Sequence, residues 1–526
     1  MCTFVGNREK LIYVIIFICA LAYINFFTLA IPYFWDCPWF IFHDPSLVKG
    51  FIKSGLTLTQ HTFENDRPFM NLFFYLNTLL FGKNYFCLRL VKNIFFSFYI
   101  VLAYALVKRF IKVRFYPLFS AGLVMFSFPI FIHQVVMSEP AIYTEPLKII
   151  AFLLYLYDFN KAKTSVFRQV LIAILLHWIF KSYSPTYSAF FTLFLFTLFY
   201  DYKKIKRYGF LLFYLLLVNF PIGKILNPAM NREAQRSVLN ITQFYSFFLK
   251  DFFRNLLSIS SFENIYNKNF LQIITPPLFL VILFYFIRLI TTSCNKFLRE
   301  NRMALCFIFA YLVPELIIWF FLPEPATRYF SSQVLPVSLF ITLIFYSSSK
   351  YMSFLKPNKI IIASLLLIYV GYNFTYTYLF RATWLSSELG KRKVADYIET
   401  VRGANSVVLY KQEQVAPDYI PLNKNRDFYI IPPQGIAYLP SNDYSSQYLK
   451  SFNNYSYIYV IQKETSFKKN RLPDLDFTKR RDLVLVKVIE GKTDSLFDKI
   501  NLSVCNLLHI NYQPNKFYIY KYNKGV

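Results

Sequence analysis

The side chains most able to do chemistry gather in a few short stretches. Asp36 and Asp44 lie in an aromatic run that also carries Tyr33, Trp35, Trp39, Phe40, Phe42 and His43. A carboxylate held among aromatic rings loses part of its water, which suits it to general-base work on a hydroxyl. The competing reading is a carboxylate that caps a short interfacial helix. Arg67 opens a second stretch, from Arg67 to Gly82. Thr144 and Glu145 precede Pro146, where Thr144 is expected to cap a helix and Glu145 to occupy its first turn, beside the positive helix end. Lys181 lies four residues before Pro185, and Arg328 and Tyr329 follow Pro323 and Pro325. Arg328 has a plainer reading too, as a side chain that reaches to the membrane interface. A base together with several cations is what transfer of a group away from phosphate requires.

Composition says where these residues sit. Of the 526 residues, 56% are hydrophobic and only 16% charged, with 62 Phe and 42 Tyr. A water-soluble surface needs more charge than this, and a disordered chain needs far less apolar content. The sequence therefore describes an integral membrane protein. A net charge of +28 would suggest nucleic acid in a soluble chain. Here the charge has a different distribution.

At roughly 20 apolar residues per crossing, about eleven spans can be read. They lie near 11–32, 88–107, 115–136, 142–158, 169–180, 184–200, 209–221, 272–294, 303–322, 331–347 and 360–380. Basic residues mark alternate connections: Arg8 and Lys10, Lys108 to Arg114, Lys161 to Arg168, Lys203 to Arg207, Lys296 to Arg302, and Lys350 to Lys359. The positive-inside rule assigns those connections and the N-terminus to the cytoplasm. An odd number of spans then sends the C-terminus outside. The long outer segments are 33–87, 222–271 and 381–526, so Asp36, Asp44, Arg67, Glu145, Lys181, Arg328 and Tyr329 share the outer side.

The expected fold is an all-α polytopic domain over 1–380 followed by a small extracytoplasmic α/β domain over 381–526. In the tail, Trp384 to Arg402 has helical spacing. Strand-like runs follow at Ser406–Tyr410, Phe428–Ile431, Tyr455–Ile461, Leu483–Ile489 and Phe517–Tyr520. The tail carries no catalytic motif and reads as a lid or scaffold. The seven Cys show no paired spacing, and a Cys37–Cys87 bridge is the one pairing considered. His43 and His61 share a loop with Asp36, Asp44 and Glu64 but lack tight metal-ligand spacing. The nucleotide-binding, lipase and zinc-protease signatures GxxxxGK[ST], GxSxG and HExxH do not occur.

The order of these motifs resembles the GT-C-fold glycosyltransferases, among them protein O-mannosyltransferases and bacterial aminoarabinose transferases. Asp36 matches the acidic residue after the first span. The stretch Arg67 to Gly82 is similar to their RPL…LN..LFG segment. Thr144 to Leu147 is similar to TEPL, and Arg328-Tyr329 with Pro336 to RY…P. The sequence departs from the pattern where many members have two adjacent acids, since Cys37 follows Asp36. It departs again where relatives place a cation directly before proline, since Lys181 stands apart from Pro185.

The resemblance implies transfer of a sugar from a polyprenyl-phosphate donor to a glycan, lipid or protein acceptor at the outer face, with inversion. On that analogy Asp36 is the base, with Asp44 as its competitor, and Glu145 orients the acceptor or the base. Arg328 and Lys181, with Arg67 and Tyr329, face the lipid phosphate. No cofactor and no nucleic acid are expected, and a divalent metal on the loop that carries His43 and His61 is the alternative left open. The expected setting is a bacterial inner membrane. The rival function is a lipid-linked glycan flippase or secondary transporter, whose charges would line a path at the membrane midplane.

Overall fold

The computed structural model describes residues 7–28, 80–81, 85–127, 130–131, 134, 141–159, 161, 164–182, 187–206, 208–209, 211, 276–320, 331–352, 356–401, 406–409, 457–464, 481–491, 503 and 516–524. The longer helices are α1 (Asn7–Thr28), α2 (Tyr85–Phe110), α3 (Phe115–Met125), α4 (Ala141–Phe159), α5 (Val166–Ser182), α6 (Tyr187–Asp201), α7 (Pro276–Glu300), α8 (Arg302–Phe320), α9 (Ser331–Tyr351) and α10 (Lys359–Val401). Four strands follow: β1 (Ser406–Leu409), β2 (Tyr457–Glu464), β3 (Leu483–Glu490) and β4 (Lys516–Tyr522).

Two compact units divide within α10, between Thr377 and Tyr378. The helical unit is that of an integral membrane protein. By length and composition, Arg8–Thr28, Arg89–Phe110, Leu278–Glu300 and Ser332–Tyr351 can each cross a membrane, and shorter apolar helices stand beside them. The expected span at 209–221 falls almost wholly outside the described residues. Helix α3 is interrupted at Phe126 and Ser127, and Ile130, Phe131 and Gln134 beyond are again helical, with the Phe131 amide donating to the Ser127 carbonyl at 3.0 Å.

Helix α9 is the core of this unit. It packs against α3, α7 and α8, and 83% of its apolar window is buried, against 28% for α1 and 22% for α7. Small polar side chains let its neighbours approach closely, as Ser120 of α3 and Ser338 of α9 do at 3.0 Å. The lipid-facing helices instead expose Leu11, Ile15 and Ile18 of α1 and Leu280 and Ile287 of α7. Between α4, α6 and α8 the packing is aromatic. Phe307 meets Phe152 at 5.5 Å and Phe196 at 6.0 Å, edge to face. Helix α7 kinks at Ser293, whose φ is −148°. The hydroxyls of Thr291 and Thr292 both donate to the Arg288 carbonyl just before it, and such side-chain competition bends helices.

The basic connections collect at one end of the bundle. Glu9 of α1 pairs with Lys108 at the end of α2 and lies 3.4 Å from Arg114. Asp158, fully buried, binds Arg168 at 2.7 Å. Lys204 donates to the Phe159 carbonyl, and Arg302 to the Tyr200 carbonyl. Glu300 takes hydrogen bonds from Lys350 and Tyr351. These contacts join the ends of α1, α2, α4 to α6 and α7 to α9, so they define a basic end and an opposite end.

The second unit is a four-stranded sheet in the order β1-β2-β4-β3. The β1–β2 pair is parallel, and β4 is antiparallel to both β2 and β3. Four of the five expected strands are present, and Phe428–Ile431 lies outside the described residues. The last expected span, 360–380, and the tail helix, 384–402, form one continuous helix, α10, which runs to Val401. No proline or glycine stands between Phe380 and Leu389 to interrupt it. Gly390 lies directly under the ring of Phe517 on β4.

Candidate functional site

The polar side chains at the opposite end are held by α1, α2, α4 and α8. On α4, Glu145 and Lys148 are three residues apart and so share a face. Both are buried, at 5% and 1% exposure. The Lys148 ammonium lies 3.4 Å from Glu145 Oε1, and the Tyr311 hydroxyl of α8 donates to Glu145 Oε2 at 3.2 Å. Lys148 also stands 4.5 Å from the centre of the Tyr311 ring, within cation–π reach. The carboxylate is thus fixed through both of its oxygens.

A second group adjoins on α2. Arg89, Lys92 and Asn93 are all within 1% of complete burial. Arg89 Nη1 donates to the Gln134 carbonyl at 3.3 Å, and Gln134 Nε2 donates to Asn93 Oδ1 at 2.7 Å. Asn93 Nδ2 in turn reaches Asn25 and Thr28 of α1, at 2.7 and 3.0 Å. Lys92 stands 5.9 Å from the ring of Tyr143, two residues before Glu145 on α4. Helical rise puts Glu145 about 20 Å from Asp158 and Lys92 about 24 Å from Lys108, so both groups lie well away from the basic end.

Several expectations need correction. Helix α4 begins at Ala141, so Thr144 lies inside it and Glu145 in its second turn. Pro146 has no N–H, which leaves the Ile142 carbonyl without its helical donor but does not stop the helix. Glu145 is therefore held by side chains and not by a helix end. The charges are also not confined to loops: Arg89, Lys92, Lys148 and Asp158 are buried within the helical unit. Cys87 is free, and Cys37, its considered partner, lies outside the described residues.

Lys181 has its backbone in the last turn of α5, at the end opposite Arg168. Asp36, Asp44, Arg67, Arg328 and Tyr329 lie outside the described residues. Sequence reasoning passed over Arg89, Lys92 and Lys148. The signal was present, since each is a cation inside an apolar span, where charge is costly and marks function by default.

The arrangement offers a fixed carboxylate, three buried cations and hydrogen-bonding amides at one end of an apolar bundle. Such a site can hold and orient a polar group brought in from that end. The crystal structure of ArnT from Cupriavidus metallidurans bound to undecaprenyl phosphate matches this chain over 97% of its length and over 98% of its own, with a TM-score of 0.50 and 11% identity. The fold is of the GT-C type. The apo-state crystal structure of the same ArnT covers 85% of this chain, with a TM-score of 0.48 and 12% identity. No family model matches the sequence, and no curated protein does. Within the GT-C fold this chain keeps both parts of the expected architecture, a helical membrane unit and a small sheet-bearing unit after it.

Proposed function

We propose that this protein is a glycosyltransferase that moves a sugar from a polyprenyl-phosphate donor to an acceptor at the outer face of the membrane. The observation that carries the reading is the likeness in fold, spanning 97% of this chain, to a structure whose bound ligand is undecaprenyl phosphate. The buried Glu145–Lys148–Tyr311 group, remote from the basic end, supports it. Polyprenyl phosphate is the lipid partner, and the setting is a bacterial inner membrane with the N-terminus in the cytoplasm. The donor's sugar–phosphate bond supplies the driving force, so the reaction calls on neither nucleotide nor cofactor.

In the reaction Asp36 takes the proton of the acceptor hydroxyl, with Asp44 as the competing base. The oxygen attacks the anomeric carbon from the face opposite the phosphate. The carbon–oxygen bond to phosphate breaks, the lipid phosphate leaves with the electron pair, and the configuration inverts. Arg328, Lys181, Arg67 and Tyr329 stabilise the departing phosphate, for which the guanidinium fork is well suited. Glu145, held by Lys148 and Tyr311, orients the acceptor.

The test uses the full chain in lipid nanodiscs with radiolabelled polyprenyl-phosphate sugars and no nucleotide sugars. Label moving to an acceptor, or sugar released with free lipid phosphate, is the expected result. Asp36→Asn should lower the rate by roughly 10²–10⁴ if Asp36 is the base. Label that crosses between leaflets with no transfer would replace this reading with a flippase.

A further inference from the structure

Gln333 is the third residue of α9, and its side chain is completely buried. Neither its Oε1 nor its Nε2 has a hydrogen-bond partner. Among the described residues it is the one side-chain amide left unsatisfied at both atoms. Gln134 provides the contrast, because Asn93 accepts from its Nε2. Buried amides are ordinarily satisfied, and one that is not calls for an explanation.

A glutamine at the third helical position can reach back to the start of its helix as half of a capping box. Gln333 makes no such bond. The direction of its side chain follows from helix geometry, since side chains lean toward the N-terminus of their helix. The amide is therefore carried toward the start of α9. Lys350, in the last turn of α9, belongs to the basic end. Helical rise puts Gln333 about 26 Å from it, at the same end of the bundle as Glu145 and Lys148.

The two unsatisfied atoms select the ligand. Oε1 needs a donor and Nε2 needs an acceptor. An ionised phosphate supplies acceptors alone and would satisfy only half of the amide. Two adjacent ring hydroxyls supply both, one donating to Oε1 and the other accepting from Nε2. We propose that Gln333 is a specificity residue that reads neighbouring hydroxyls of the donor's sugar and not its phosphate. This rests on the sugar-transfer reading above.

The test is binding, measured on the full chain in nanodiscs. The probes are polyprenyl phosphate without sugar and polyprenyl phosphate bearing mannose, glucose or arabinose. The wild type should bind at least one sugar-bearing probe more tightly than the sugarless lipid. Gln333→Met should weaken that probe roughly tenfold, the worth of one or two neutral hydrogen bonds, and leave the sugarless lipid unchanged. A set of monodeoxy donors provides a test on the wild type itself. Removing the hydroxyl that Gln333 reads should cost a similar factor there and nothing further in Gln333→Met.

Ligand-free Gln333→Met should melt no lower than the wild type, because no existing hydrogen bond is lost. A lower melting temperature would make Gln333 structural and overturn the proposal. So would equal weakening of both probes, an unchanged affinity for the sugar-bearing one, or a wild type that prefers no sugar. If the wild type binds neither kind of lipid, the sugar-transfer reading falls with it.

Discussion

Glu145 shows how a single carboxylate can be held for use in an apolar bundle. Lys148 compensates its charge from the same helix face, and Tyr311 fixes its second oxygen from α8. Removing one member of a buried pair strands the other, at a cost of about 3–5 kcal/mol. Lys148→Met should therefore lower the melting temperature sharply, as differential scanning fluorimetry would record. The double variant Glu145→Gln/Lys148→Met should recover most of that loss, because no lone charge remains. If Glu145 serves only the fold, the double variant also recovers transfer. If it orients the acceptor, transfer stays low while stability returns. Another residue illustrates the reverse lesson. Asn373 begins an Asn-Phe-Thr glycosylation pattern, yet it is buried in α10 and donates to the Tyr369 carbonyl at 3.0 Å, out of reach of a modifying enzyme.

Among the elements, α10 carries the most specific requirement. Its Gly390 meets β4 with no room for a methyl group, because a Cβ there would overlap the Phe517 ring. Phe517 is completely buried, so the ring has little freedom to retreat. In an open helix, replacing glycine by alanine gains about 1 kcal/mol from propensity. Here overpacking should reverse the sign and cost about 1–3 kcal/mol. Gly390→Ala should accordingly speed hydrogen exchange in β2 and β4 without altering exchange in α9. An unchanged or slower exchange would mean that α10 does not pack so tightly on the sheet. Helix α9 makes a softer demand, since its buried Ser338, Thr342 and Ser347 bond within the helix or to Ser120 and Asn301 beside it.

At the scale of the whole molecule the charge pattern becomes an orientation. The connections rich in Lys and Arg meet at one end of the bundle, as the ion pairs of Glu9, Asp158 and Glu300 show. The positive-inside rule then predicts that this end faces the cytoplasm. An alkaline phosphatase fused after Lys204 should be inactive, and one fused after Val526 should be active. The opposite pattern would invert the molecule and remove the outer-face reading of the site.

Composition and spacing were enough to read a membrane protein, most of its helices and the four described strands of the second unit, while the GT-C likeness came from the resemblance of short motifs to that family. These properties depend on local periodicity and on the cost of charge in hydrocarbon, and both are written along the chain. The sequence also singled out Glu145 by its place beside Pro146. It could not show that Glu145 is held by Lys148 and Tyr311, because Tyr311 comes from a helix far away in the chain. For the same reason it could not show Arg89 and Asn93 joined through Gln134, or Gln333 buried without a partner. Whether a polar side chain inside an apolar span is satisfied depends on what neighbouring helices bring to it. That is a property of packing in three dimensions, and only the tertiary structure decides it.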